Sequence, residues 1–112
     1  MNPLAITGFS QVSALGVGRR AFESALADTP HVDRFAVPTL FDEAQYPGAR
    51  VAEARDFDPA AVLGDKGLRN LDRLTKLFLV AARGALEDAG VKLGGEYKHY
   101  GGPRAGICAS TA

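Results

Sequence analysis

Three side chains in the sequence are of the types that carry nucleophilic or acid–base chemistry: Cys108, His31 and His99. A thiol beside a histidine can act as a nucleophile with its base, provided that the thiol lies in an electropositive, partly exposed setting. Cys108 instead stands between Ile107 and Ala109, which predicts a buried structural thiol. The two histidines fall in Pro-rich and Gly-rich connections, where we expect exposed side chains, although a partner distant in sequence stays open. The residues themselves therefore predict no catalytic pair.

Three glycines near the N-terminus, Gly8, Gly16 and Gly18, have the residue type that a phosphate-binding loop requires. Their spacing matches neither G-x-G-x-x-G nor G-x-x-x-x-G-K-[ST]. We interpret them as tight turns where a strand passes into a helix. The single cysteine excludes an internal disulfide and supplies no zinc-binding set. The sequence thus indicates neither a cofactor nor a metal.

Charged side chains cluster around the start of the longest predicted helix. They are Asp65, Lys66, Arg69, Asp72, Arg73 and Lys76. One interpretation is a solvated face with ion pairs such as Asp72 with Lys76 and Arg69 with Asp72. The other is an electrostatic docking surface for an acidic partner, because Lys66 and Arg69, three residues apart, project from the same side. Composition alone favours the solvated face, and the docking surface stays open.

The composition is that of an ordinary globular protein, with 46% hydrophobic and 23% charged residues among 112. Thirteen basic and thirteen acidic residues give a net charge of zero, which disfavours binding to nucleic acid or to a membrane surface. The N-terminus does not have the pattern of a signal peptide, and the apolar runs are too short to span a membrane. With one cysteine, the chain is expected to be cytoplasmic.

The first half of the chain contains elements that would position these residues. We predict a buried strand from about Leu4 that continues irregularly to Leu15, and then a helix over 19–27. Residues 30–50 predict a long connection whose aromatic side chains pack against the molecule. The alternation over 51–55 predicts a short exposed strand.

The second half contains the longest predicted element. Asp58 and Pro59 predict a helix start, with the end at Gly64. Asn70 is expected to open a helix over about 71–89, and Gly90 to close it as a left-handed C-cap. Its apolar stripe is predicted to comprise Leu71, Leu74, Phe78, Ala81, Ala82, Ala85 and Leu86, and its small residues should allow close approach of another backbone. Residues 104–109 predict a second buried strand.

The order of these elements predicts an α/β fold. Two apolar strands joined by a helical crossover indicate a parallel pair with a decorated insertion between them. Such strands need cover on both faces and neighbours at their edges, and one long helix cannot provide this. We therefore predict that the sheet is incomplete by itself.

Several stretches, in order along nearly the whole chain, resemble β-ketoacyl-acyl-carrier-protein synthases, the ketosynthases. They are Ile6-Thr7-Gly8 with the residues to Gly16, Phe41-Asp42 with Tyr46-Pro47, Val51-Ala52, Asp56-Phe57-Asp58, residues 66–74 with 81–90, and Arg104-Ala105-Gly106-Ile107. The resemblance implies a thiolase-like fold, of which residues 1–112 would be the N-terminal portion of the synthase N-terminal domain. It also implies decarboxylative Claisen condensation in fatty-acid or polyketide synthesis, with an acyl group held on a cysteine and malonyl on a carrier protein supplying the carbanion.

The resemblance also bears on the site residues. In the family the nucleophilic cysteine and two catalytic histidines lie downstream of this stretch, so no catalytic role passes to Cys108, His31 or His99. Lys66 and Arg69 match positions that contact the acidic acyl carrier protein in several members. Asn70 stands where a further basic residue often occurs. We predict carrier-protein docking at Lys66 and Arg69, and no condensing activity for the 112 residues alone.

Two alternatives stay open. Ser110-Thr111-Ala112 replaces the family's Gly-Ser-Gly-like turn, and inactive chain-length-factor subunits also vary there. In the first alternative, the chain belongs to a non-catalytic subunit of a ketosynthase heterodimer. In the leading interpretation, its partner is the rest of the ketosynthase chain or a second ketosynthase-like subunit, in a homo- or heterodimer. The other alternative is a small stand-alone module that binds a partner by completing a sheet.

Overall fold

The structure, a computed structural model, describes residues 2–28, 33–93, 96–98 and 106–110. Its helices are α1 (Arg19–Ala27), α2 (Pro59–Leu63) and α3 (Arg73–Asp88). Its strands are β1 (Val12–Ser13), β2 (Gly16–Val17), β3 (Lys92–Leu93) and β4 (Glu96–Tyr97). Two short 3-10 helices cover Glu43–Gln45 and Leu68–Asn70. The chain thus mixes helices with very small sheets.

The two shorter helices begin and end where their local sequence predicts. Helix α1 covers the predicted residues 19–27. Helix α2 follows Asp58, whose carboxylate accepts the N–H groups of Ala60 at 3.0 Å and Ala61 at 3.3 Å. Pro59 occupies the first turn and Gly64 ends the helix. These ends depend on contacts within a few residues, so a local pattern is sufficient to predict them.

Helix α3 begins later than predicted, and its N-cap is Asp72 instead of Asn70. The Asp72 carboxylate accepts the Thr75 N–H at 2.6 Å. Leu71 is extended, with φ −92° and ψ 137°, so the helix cannot include it. Asparagine and aspartate are both good N-caps, and the 3-10 helix that ends at Asn70 decides between them.

The C-terminus of α3 confirms the predicted glycine cap. Gly90 has φ +70° and donates its N–H to Glu87 O at 3.0 Å. Val91 donates its N–H to Leu86 O at 2.9 Å. This pair of bonds is the Schellman motif, which satisfies carbonyls that the helix end leaves free.

The predicted apolar stripe of α3 is half-buried except at Leu74 and Phe78. The buried residues of the described part are Val80, which is 1% exposed, and Pro38. Leu74 and Phe78 of the predicted stripe remain 58% and 44% exposed. The rest of the stripe is half-buried, and Gly8 lies against the backbone of Ala85. The stripe is therefore covered over the C-terminal half of α3 and open near the start of the helix, where apolar side chains still need cover.

The small residues of α3 do receive another backbone, as predicted. A side chain at Gly8 would collide with backbone atoms of Ala85 and Ala89. A side chain at Gly84 would likewise collide with Ser10. The segment around Gly8 therefore lies directly on the C-terminal half of α3, and glycine is needed at both contacts because any β-carbon would force them apart.

The sheets differ from the predicted parallel pair. In the described residues both strand pairs are antiparallel hairpins, with Val12 opposite Val17 and Lys92 opposite Tyr97. Residues 4–7 form no strand, and Leu4 and Ile6 are 99% and 92% exposed. Parallel strands are stable only with cover on both faces, which these elements do not provide.

The second predicted strand, 104–109, lies partly outside the described residues. Its described part, from Gly106 onward, has no strand structure, and Ile107 is 90% exposed. The short exposed strand predicted over 51–55 is reduced to one antiparallel bridge between Val51 and Ala36. An extended segment without a hydrogen-bonded neighbour leaves its backbone groups to water.

The chain exposes more surface than a compact protein of its mass. Its accessible area is 8873 Å², against about 5900 Å² for a folded monomer of this size. Its radius of gyration is 16.8 Å, where about 13 Å is usual. Among the described residues, no helix combines the length and apolarity that crossing a membrane requires.

Candidate functional site

The two predicted docking residues lie on one short turn, which we call the basic turn (residues 66–70). Gly67 adopts a left-handed conformation, with φ +83° and ψ −7°, and leads into the 3-10 helix Leu68–Asn70. The Leu71 N–H closes this turn on Leu68 O at 3.1 Å. Lys66 and Arg69, on either side of the bend, are both exposed. The local conformation thus presents two cations to solvent just before α3.

The charges of the basic turn are not neutralised locally. Within the described part of the chain, Lys66 and Arg69 form no ion pair and no side-chain hydrogen bond. The ion pairs predicted for Asp72 do not form, because its carboxylate caps α3. Thr75, through its hydroxyl and then its N–H, lowers the pKa of Asp72, and Lys76 adds to this. Both cations therefore remain available to an acidic partner.

Arg73 is not a free cation like the two before it. Its guanidinium donates to Ala54 O at 3.0 Å and lies 5.3 Å from the centroid of the Phe57 ring. A guanidinium over an aromatic face is attracted by the electrons of the ring. The first residue of α3 therefore anchors the preceding segment of the chain against the helix.

Glu53 is an acceptor centre that the sequence pattern did not reveal. Its side chain is 7% exposed. It accepts the Thr39 hydroxyl at 2.6 Å, the Thr39 N–H at 2.8 Å and the Leu40 N–H at 3.1 Å. These bonds, Thr39 first, lower the pKa of Glu53, and the charge of Arg55 adds to them. The sequence predicts an exposed strand over 51–55, which would leave Glu53 in solvent. The hydrogen bonds from Thr39, 14 residues away, leave no pattern in the local sequence.

The long connection before Glu53 is held by polar groups and not by its aromatic side chains. Arg50 donates to Asp33 at 3.0 Å and to Phe35 O at 2.7 Å. Phe35 and Tyr46 stay 56% and 59% exposed, so the prediction that the aromatics pack against the molecule is wrong here. Phe41 contacts Tyr46 edge-on, with ring centroids 5.5 Å apart. Apart from this contact, the aromatic side chains of the described part of the connection face solvent.

A second polar cluster, which we call the N-terminal latch (Phe9, Arg19 and Asp88), joins three separate parts of the chain. Asp88, near the end of α3, accepts the Phe9 N–H at 3.0 Å and lies 3.3 Å from the Arg19 guanidinium. Arg19 also lies 5.2 Å from the Phe9 ring centroid. The Phe9 N–H first, and Arg19 after it, lower the pKa of Asp88.

The residues that could carry nucleophilic chemistry are not assembled by the described structure. Cys108 is exposed, so the prediction of a buried thiol is wrong for this structure, because its segment lacks a neighbouring strand. His31 and His99 lie outside the described residues. Within the described ranges, the His, Cys, Asp and Glu side chains form no group of three or more that could hold a metal ion.

Comparison with known proteins places the chain in a family. The sequence profile described as "Beta-ketoacyl synthase, N-terminal domain" matches residues 1–110. A "3-oxoacyl-[acyl-carrier-protein] synthase 2" of Coxiella burnetii is 36% identical over 103 residues, which are 91% of this chain and 23% of that protein. A "Tetracenomycin polyketide synthase ketoacyl synthase beta subunit" of Streptomyces glaucescens is 37% identical over 91 residues, which are 80% of this chain and 22% of that protein.

The chain therefore spans less than a quarter of the length of these curated relatives. No solved structure matches it. The profile match covers nearly all of the sequence and confirms the resemblance that the ordered stretches from Ile6 to Ile107 predicted. The chain belongs to the β-ketoacyl synthase N-terminal domain family.

Proposed function

We propose that this chain is the N-terminal portion of a β-ketoacyl-acyl-carrier-protein synthase. In the reaction, an acyl thioester on a carrier protein transfers its acyl group to a cysteine thiolate of the enzyme. Malonyl on a second carrier protein then loses CO₂, and the resulting carbanion attacks the acyl-enzyme thioester. The new C–C bond forms as the cysteine thiolate leaves, giving a β-ketoacyl carrier protein. The observation that carries this proposal is the family match over residues 1–110.

The open surface of the chain supports a place within a larger domain. Helix α3 is covered by Gly8 and Ser10 over its C-terminal half and stays open at Leu74 and Phe78 in its N-terminal half. A continuous groove of about 760 Å³ runs from Gly8 along this helix to Cys108. Apolar surface of this extent is stabilised when further layers cover it.

The proposed fold of the whole domain is thiolase-like. In it, residues 4–7 and 104–109 are neighbours in a mainly parallel sheet, with α3 as the crossover helix between them. Leu4, Ile6 and Ile107 are 99%, 92% and 90% exposed here. This agrees with apolar strands whose neighbouring strands belong to the rest of the domain. Residues 1–112 would form the first part of this domain.

The proposed role of the basic turn is to dock the acyl carrier protein. Carrier proteins of this kind are acidic, and two exposed, locally unneutralised cations at Lys66 and Arg69 are complementary to them. Charges of this type act mainly on the association rate and weaken as salt screens them. Docking should therefore depend strongly on ionic strength.

A charge-reversal experiment tests the docking role. In the protein that carries these residues, Lys66→Glu with Arg69→Glu should weaken binding to a purified apo acyl carrier protein by about tenfold at low salt. The matched control reverses Arg20 and Arg34, two exposed arginines on other segments. Surface plasmon resonance at two salt concentrations measures both. Equal affinities for the docking variant and the control would remove the docking role.

An acyl-transfer assay tests the reaction itself. The protein that carries these residues should form a radiolabelled acyl-enzyme from acyl carrier protein and release a β-ketoacyl product with malonyl carrier protein. The 112 residues alone should form neither, because no role as nucleophile passes to Cys108. Acylation of Cys108 in the isolated chain would contradict this assignment.

A second candidate is a non-catalytic, chain-length-factor-like subunit of a heterodimer. The relative named as a ketoacyl synthase beta subunit is the observation that favours it. The two candidates differ in one residue, because an active ketosynthase has a cysteine at the nucleophile position downstream. Sequencing the continuing reading frame decides between them. Either candidate would pair with a second ketosynthase-like subunit.

A further inference from the structure

A small cleft at the start of α3 contains two arginines. Its volume is about 240 Å³, and it is lined by Thr39, Leu40, Glu53, Ala54, Arg55 and Arg73. Arg73 is the first residue of α3 and follows the basic turn by three residues. The cleft therefore lies where the long connection, the segment around Glu53 and the start of α3 meet.

The one carboxylate in the cleft is already satisfied from within the chain. Glu53 accepts three hydrogen bonds from Thr39 and Leu40, at 2.6 to 3.1 Å. Arg55 Nε lies 3.7 Å from its second oxygen. With this many donors and 7% exposure, the Glu53 carboxylate is a structural part of the cleft wall. It balances one of the two arginine charges, so the cleft has a net charge of +1.

The two guanidiniums are held in place without being saturated. Arg73 donates to Ala54 O at 3.0 Å, and Arg55 donates to Val37 O at 3.4 Å. A guanidinium has five N–H donors, so each retains donors for another acceptor. The Arg55 side chain is 53% exposed, and Arg73 is exposed as well. Backbone anchors reduce the side-chain entropy that a bound carboxylate would otherwise cost.

We propose that this cleft is a carboxylate subsite of the carrier-protein docking surface, in which Arg55 and Arg73 bind an acidic side chain of the partner. The inference rests on the proposed docking function and extends it beyond Lys66 and Arg69. Leu40, which is 60% exposed on the cleft wall, contacts an apolar group beside that acidic side chain. The basic turn attracts the carrier protein, and the cleft fixes its orientation, because planar guanidiniums match carboxylates in a defined geometry.

The test uses neutral substitutions in the protein that carries these residues. Arg55→Gln with Arg73→Gln should weaken binding to a purified apo acyl carrier protein about five- to tenfold at low salt. The slope of affinity against salt should also become shallower. Arg20→Gln with Arg34→Gln removes the same charge from other segments and should change affinity less than twofold. The apo carrier protein excludes a contribution from the pantetheine arm.

Further variants distinguish loss of the cleft from misfolding and from failure of the docking role. Arg55→Gln alone leaves the Arg73–Ala54 bond intact and should still weaken binding about threefold. Arg55→Lys with Arg73→Lys should keep the salt slope but lose affinity, because lysine cannot bind bidentately. Unchanged affinity in Arg55→Gln and in the folded double variant overturns the cleft. If Lys66→Glu with Arg69→Glu still weakens binding, the docking role survives that result; if it does not, both are overturned.

Discussion

The contacts that fix this chain at the scale of single residues are mostly polar. Asp88 is the clearest case, since it receives one backbone N–H from Phe9 and one guanidinium from Arg19. Arg19 also forms an ion pair with Glu23, one turn further along α1, with Nε and Oε1 2.6 Å apart. The latch thus connects the N-terminal segment, α1 and the end of α3 through one carboxylate.

This carboxylate predicts a specific dependence of stability on acid. The folded pKa of Asp88 lies below its ordinary value, so its stabilisation is complete at neutral pH and is lost as pH falls from about 4 through the folded pKa. Asp88→Asn should lower the urea midpoint at pH 7 and make its decline between pH 4 and pH 2 shallower. Urea titrations across this range, on the protein that carries these residues, measure both effects.

A matched variant separates the latch from a general effect of charge. Asp56 is exposed and makes no side-chain hydrogen bond or ion pair within the described residues. Asp56→Asn should leave the urea midpoint at pH 7 nearly unchanged. If Asp88→Asn behaves in the same way as Asp56→Asn, the latch contributes nothing to stability.

The sequence predicts single-residue roles only where partners are close along the chain. Asp58 and Gly90 were predicted as caps because each binds within four residues of itself. Asp88 and Phe9 are 79 residues apart, and Glu53 and Thr39 are 14 apart. No sequence periodicity relates such partners. The sequence therefore cannot distinguish a carboxylate that accepts a distant backbone N–H from an ordinary surface carboxylate.

At the scale of elements, the main contact is between the N-terminal segment and α3. The sequence predicts that the small residues of α3 admit another backbone, and Gly8 lies against Ala85 and Ala89 in this way. The position of the helix is also predicted. Its stripe is half-buried towards the C-terminal end and exposed at Leu74 and Phe78, because the contacts with Gly8 and Ser10 lie on the C-terminal half of α3.

A methyl group at Gly8 should separate these two elements. Because it would collide with the backbone of Ala85 and Ala89, Gly8→Ala should lower the free energy of unfolding by about 1–3 kcal/mol. Urea unfolding of the protein that carries these residues compares Gly8→Ala with the unsubstituted form. An unchanged midpoint would show that the segment does not pack on α3 as described.

Strands were harder to predict than helices for a physical reason. The ends of a helix are fixed by its own caps, but a buried strand exists only beside another strand. The apolar runs at Leu4 and Ile107 have the composition of strands, yet they form no strand and are exposed here. These two strands need neighbouring strands that the described elements do not supply. The parallel sheet therefore remains part of the proposal for the whole domain.

At the scale of the whole molecule, the exposed surface area supports the proposal of a larger domain. An area of 8873 Å² and a radius of gyration of 16.8 Å describe a chain with too little core for its length. Among the described residues only Val80 and Pro38 are buried, which is a small core and favours the larger domain over a stand-alone module. The shares of 23% and 22% that the alignments cover in the relatives agree with a chain that forms the opening of a larger protein.

The central claim is that these residues open a longer ketosynthase-type chain, and the denatured intact mass of the natural polypeptide tests it most directly. Mass spectrometry under denaturing conditions separates covalent continuity from association. The account predicts a mass several-fold above the 11.8 kDa of these 112 residues. A natural polypeptide of 11.8 kDa would contradict it.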